Sequence, residues 1–169
     1  MDLALLIIRV VVGLFLMGHG AQKLFGWFGG PGLKGVTGWL ASMRLRPPGF
    51  WAFLVGLVEF GGGLLLALGL FSPLGSLGIG ASMLVAIAKV HWPKVWVTEN
   101  GFELPLVYLT IALAVGIAGP GAYSLDQGLQ TALPAPAALL GVVLVLIGWL
   151  AVLVITASQP GSVSKTVSH

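Results

Sequence analysis

Residues 3–25 read LALLIIRVVVGLFLMGHGAQKLF, an apolar run broken by one arginine and ending in a histidine and a lysine. As a helix, such a run extends about 34 Å, enough to cross a bilayer core of about 30 Å. At 100° per residue, Arg9, Gly13, Leu16, Gly20 and Lys23 fall on one narrow face, with His19 at its edge. A lone charge in lipid costs about 2.5–3.5 kcal/mol on insertion scales, so that face must turn toward other helices. The run predicts a membrane-spanning helix that belongs to a bundle. It does not read as a cleavable leader, because Asp2 stands where basic residues would precede it and no A-x-A-like site follows.

The rest of the chain agrees. Four more apolar segments follow, Phe50–Leu70, Pro73–Val90, Leu104–Ala118 and Pro136–Ala157. Of 169 residues, 57% are hydrophobic and 8% charged, and the mean hydropathy is +1.04. A soluble domain carries roughly 25% charged residues, so this chain cannot cover a water-facing surface. The predicted fold is all-α, a polytopic membrane helical bundle. No cysteine is present, which excludes disulfides, thiolate metal sites and Cys-held iron–sulfur clusters. The net charge of +3 comes from only eight Lys and Arg, dispersed around the apolar segments, so nucleic acid is not a partner.

Charge distribution sets the expected topology. Five spans put the 26–49 loop, the 91–102 loop and the C-terminal tail on one side, with Lys23, Lys34, Arg44, Arg46, Lys89, Lys94 and Lys165. The opposite side, with the N-terminus, the 71–72 turn and the Gly/Pro-rich 119–135 linker, carries no Lys or Arg. The basic side is expected in the cytoplasm of a bacterial inner membrane, with the N-terminus out. Trp27, Trp39, Trp51, Trp92 and Trp96 cluster there as an interfacial aromatic belt would. Within the long loop, Leu33–Leu45 reads as a short interfacial helix.

The polar residues inside or beside the spans are the candidate site. In the second segment Ala52, Gly56, Glu59 and Gly63 share a face, and in the third Gly75, Gly78, Ser82, Ala86 and Lys89 do. Small residues beside a charge suit close helix packing around an interior polar group. Glu59 lies about 13 Å from the cytoplasmic end of its segment and Arg9 about 9 Å in from the other side, so the two are expected to pair. Such a pair serves equally as a register device or as a working site. His19, Lys23, His91 and Glu103 are expected to converge at the cytoplasmic end as a polar vestibule, a proton relay or a seat for a quinone carbonyl or small anion. A haem between His19 and His91 is disfavoured, since two histidines alone carry little weight. No metal site is expected.

These residues carry a resemblance. Arg9, Gly13 and the block Gly18-His19-Gly20-Ala21-Gln22-Lys23-Leu24-Phe25-Gly26 resemble the DoxX family of small bacterial membrane proteins. So do Glu59-Phe60-Gly61-Gly62-Gly63-Leu64-Leu65-Leu66, Val90-His91, Asn100-Gly101-Phe102-Glu103-Leu104-Pro105 and Gly119-Pro120-Gly121-Ala122-Tyr123-Ser124-Leu125-Asp126. The resemblance implies a four-helix membrane domain over 1–128, with 129–169 adding a linker, a fifth transmembrane helix and a flexible tail. It also implies association with membrane oxidoreductase complexes, as in the membrane subunit of a thiosulfate:quinone oxidoreductase. Arg9, His19, Lys23, Glu59, His91, Glu103 and Asp126 are the positions it carries over as site or structural residues.

Three functions remain open on the sequence. The first is a redox-associated subunit that binds a quinone or an oxidoreductase partner through the His/Glu/Arg site. The second is a proton-coupled carrier of a small solute, and the third is an assembly protein whose charges only set helix register. If the chain catalyses a reaction, it does so as an oxidoreductase subunit. The lipid bilayer is its first partner, and self-association into a homo-oligomer is compatible with all three.

Overall fold

A computed structural model of the chain describes residues 1–131 and scattered positions between 133 and 150. The helices follow the apolar runs. Helix α1 spans Asp2–Leu24, α2 Gly32–Ser42, α3 Pro48–Leu68, α4 Ser72–Val85, α5 Glu103–Ala118 and α6 Leu125–Leu129. A wider helical turn over Ala86–His91 prolongs α4, so that Ser72–His91 runs for 20 residues. No strand occurs among the described residues. The protein is an all-α membrane bundle, with α1, α3 and the prolonged α4 each long and apolar enough to span. Helix α5, at 16 residues, covers about 24 Å and falls short of a full crossing.

Local chemistry sets the boundaries. Pro48 and Pro73 stand in the first turns of α3 and α4, where a proline forfeits no helical hydrogen bond. Gly69 ends α3 in the left-handed conformation (φ 61°) that glycine adopts without a Cβ penalty. The interfacial helix expected at Leu33–Leu45 forms as α2, which turns Val36 inward and leaves Trp39 exposed. It stops earlier, at Ser42, because Arg44 turns to a positive φ.

The α1–α3 crossing is the tightest in the bundle. A β-carbon on Gly13 would lie 2.5 Å from the Gly63 carbonyl, and one on Gly63 2.6 Å from that of Gly13. Backbone therefore packs on backbone, as small residues permit in lipid. The buried face of α1 is Arg9, Gly13, Leu16, Gly20 and Ala21, close to the face expected from the periodicity. On α3, Ala52, Gly56, Glu59 and Gly63 are buried as expected, together with Gly62 and Leu66. The α4 face differs. Gly75 and Ser82 are buried, but Gly78, Ala86 and Lys89 are less so, and Ser72, Ser76, Ile79, Gly80 and Met83 take their place. The α4 stripe rotates because α4 packs on α3 and α5 at once. Leu16, Leu66, Ile79, Met83, Tyr108, Ala112 and Val115 form one apolar core that joins α1, α3, α4 and α5.

The expected linker is structured at its start. After α5 the chain turns through Gly119–Ser124 into α6, and Asp2 Oδ1 accepts the Ala122 N–H at 3.0 Å. The fifth segment, Pro136–Ala157, and the tail lie outside the described residues apart from isolated positions. One of these, Gly141, sits against Leu74 and Leu77 of α4.

Candidate functional site

The contacts between α1 and α3 settle which charges meet. Gly13 lies against Gly63 and Ala67, Gly20 against Phe60, and Gly56 against Leu24. This antiparallel register puts Arg9 level with the far end of the 69–71 turn and Glu59 level with Ala21. Arg9 and Glu59 are therefore separated along the bundle by about 18 Å at 1.5 Å per residue. The expected Arg9–Glu59 pair does not form. Depth counted from the start of α3 is misleading, because α2 and its loop carry that start roughly 12 Å beyond the end of α1.

Glu59 instead forms an ion pair with Lys23 and accepts the Ser82 hydroxyl at 3.2 Å on the same Oε1. The carboxylate is 2% exposed, and its Oε2 is buried without a hydrogen-bond partner. The Lys23 side chain is 32% exposed, so the pair runs from the interior to the surface. Beside it, the Tyr108 hydroxyl approaches His19 Nε2 at 3.5 Å, the long limit of a hydrogen bond, and the rings meet edge-on at 5.9 Å. Four helices thus supply one cluster: His19 and Lys23 from α1, Glu59 from α3, Ser82 from α4 and Tyr108 from α5. Its members can donate hydrogen bonds from a hydroxyl, an imidazole and an ammonium, and can hold a proton on a buried carboxylate.

Arg9 and Asp126 form a second cluster at the opposite end. Arg9, 1% exposed, donates from Nη2 to the Tyr123 carbonyl at 2.8 Å, while its Nε and Nη1 have no acceptor. The Tyr123 carbonyl lies in non-helical backbone between α5 and α6, where no helical N–H reaches it, and the Arg9 guanidinium satisfies it. Asp126, 2% exposed, accepts the N–H groups of Phe71 and Ser72, both at 2.9 Å, and the Thr131 hydroxyl at 3.1 Å. It caps the start of α4 from another part of the chain, where the helix dipole favours a carboxylate. Burial pushes the Asp126 carboxyl up, but the backbone N–H bonds from Ser72 and Phe71 and the Thr131 hydroxyl outweigh it and hold it below the ordinary value.

The expected vestibule divides. His19 and Lys23 join Glu59, whereas His91 and Glu103 serve the loop between α4 and α5. His91 Nδ1 lies 2.6 Å from the Asn100 carbonyl, and Glu103 Oε2 accepts the Val97 N–H at 2.9 Å. Each is spent on local backbone, because the 92–102 turns leave N–H and C=O groups outside any helix. Ser82 and Tyr108 were not singled out as site residues by sequence. Ser82 stood on a face already marked as interior, and a tyrosine in an apolar span needs a partner for its hydroxyl.

A family model described as DoxX matches residues 4–92, more than half of the chain and the part that carries Arg9, His19, Lys23, Glu59 and Ser82. No curated protein and no solved structure matches the chain. With the bundle and the family match agreeing, this chain is a membrane protein that belongs to the DoxX family.

Proposed function

We propose that the chain is a membrane subunit of a redox assembly. Its Glu59 cluster receives a quinone head and exchanges protons with it, while an oxidoreductase partner supplies the electrons. The observation that carries this reading is the half-satisfied carboxylate: Glu59 Oε1 holds Lys23 and Ser82, and Oε2 holds nothing. An unpartnered carboxylate oxygen in a dry interior is costly unless it takes a proton or a ligand. The Tyr108 hydroxyl, His19 imidazole and Lys23 ammonium are donors suited to carbonyl oxygens, so the donor set fits a quinone head. Lys34, Arg46, Lys89 and Lys94 belong to the same end of the bundle as Lys23, and this excess of basic residues supports a cytoplasmic location for that end in a bacterial inner membrane.

The proton-coupled carrier is the weaker reading, because among the described residues an apolar core separates the two polar clusters. The test is binding of short-chain quinone analogues to the purified full chain in nanodiscs, followed by tryptophan quenching. Wild-type protein should bind, and Glu59→Gln and Tyr108→Phe should each weaken binding by about tenfold, the equivalent of 1.4 kcal/mol. Absence of binding, or variants that bind as wild type, would return the cluster to an assembly role.

A further inference from the structure

The two polar clusters differ in how they meet the outside. At the Arg9 end, Arg9, Ser72, Ser124 and Asp126 are all buried, and the 121–126 backbone closes over them. At the Glu59 end, His19, Gln22 and Lys23 are partly exposed. Between the two levels lie Leu16, Leu66, Ile79, Ala112 and Val115, one or two from each of four helices, all 2% exposed or less. Ser76 intrudes from the Arg9 side, but its hydroxyl is buried without a partner and carries no ionisable group. Among the described residues the layer contributes no ionisable side chain.

We propose that Glu59 exchanges protons with one face of the membrane only, the face that carries the 26–47 and 92–102 loops, and that Lys23 is the relay. The inference rests on the reading of Glu59 as the proton-exchanging group of the proposed function. The step balances within the pair: the Lys23 ammonium gives a proton to the Glu59 carboxylate, which leaves a neutral amine beside a neutral carboxyl, and the amine regains its proton at the exposed end. The transfer itself leaves the pair with no net charge, and the positive charge gained when the amine is reprotonated sits on the Lys23 ammonium, whose side chain is 32% exposed, rather than on the buried carboxyl. Ser82 from α4 holds the receiving oxygen, and His19 and Tyr108 from α1 and α5 are the remaining titratable groups beside it. On this view Lys23 is a positioning and relay residue, and the Arg9–Asp126 cluster is the seal on the other face.

The full chain reconstituted in tight vesicles tests this, with orientation sorted by protease cleavage in the 26–47 loop. Dicyclohexylcarbodiimide modifies protonated carboxyls in apolar surroundings, and peptide mass separates Glu59 from Asp2, Glu99, Glu103 and Asp126. With pH set independently on the two sides, the modification rate of Glu59 should change by up to about tenfold per pH unit on the loop-bearing side. It should ignore the pH of the other side. Lys23→Met should make the modification of Glu59 insensitive to the pH on either side. A rate that follows the opposite face, or both faces, overturns the one-sided route. One-sided dependence that survives in Lys23→Met overturns the relay role of Lys23. One-sided labelling in a protein that binds no quinone analogue would sink the redox reading and leave this inference standing.

Discussion

Replacing Glu59 by Gln leaves the Lys23 ammonium beside a neutral amide, and replacing Lys23 by Met leaves a carboxylate that is 2% exposed without its cation. Breaking one side of a fully buried pair costs about 3–5 kcal/mol. Here the Lys23 side chain is 32% exposed, so solvent screens part of the interaction and reduces the expected coupling to about 1–2 kcal/mol. The double variant should therefore be more stable than the sum of the single losses predicts. Arg9→Gln combined with Glu59→Gln should behave differently, since about 18 Å of helix separates their levels. Those two losses should add to within about 0.5 kcal/mol. Reversible denaturation of the purified protein in mixed micelles, read by tryptophan fluorescence, measures both cycles. Coupling below about 0.5 kcal/mol for Lys23 with Glu59 would refute the register argument. So would coupling above about 1 kcal/mol for Arg9 with Glu59, because neither result is compatible with Gly20 lying against Phe60.

Gly63→Leu should destabilise the protein by about 1–3 kcal/mol or more, since the new β-carbon would meet the Gly13 carbonyl and the Met17 N–H, which are backbone and cannot yield; Leu64→Ala, at a 38% exposed position, should cost less, and equal thermal stability of the two in detergent would contradict the packing. Asp126 has a folded pKa below its ordinary 3.8, so its contribution is complete above that pH and lost as pH falls through the lower folded value. Wild-type protein should therefore outlast Asp126→Asn on heating at pH 5, with the gap closing below pH 3.8, and a gap independent of pH would remove the charged cap. A reporter inserted in the 26–47 loop should be active only in the cytoplasm, and one placed before Asp2 only outside; the reverse pattern would mean that the basic bias has been misread.

Sequence by itself determined the class of solvent, the places of α1, α3 and α4 and which stripe of α1 and α3 is buried, but not the number of full spans, because the fourth apolar segment forms α5, which is too short to cross. Those conclusions depend on local quantities: length against bilayer thickness, one charge against many apolar neighbours, and a 100° step that groups Arg9 with Gly13, Leu16 and Gly20. They hold whatever the helices pack against. Which charge meets which is a different kind of quantity. It depends on the axial offset between α1 and α3, and the 23 residues from Phe25 to Pro47 leave that offset free in the sequence. Only close contact at Gly13 and Gly20, backbone on backbone, and at Gly56, against the Leu24 side chain, sets it, and in doing so it gives Glu59 to Lys23 rather than to Arg9. The same holds for Asp126, which caps a helix that starts more than fifty residues earlier. Nothing local in Leu125-Asp126-Gln127 marks it as a cap for α4; its role exists only because short α5 brings the following turn back onto Gly69 and the head of α4, where the Asp126 N–H also meets the Gly69 carbonyl at 3.0 Å.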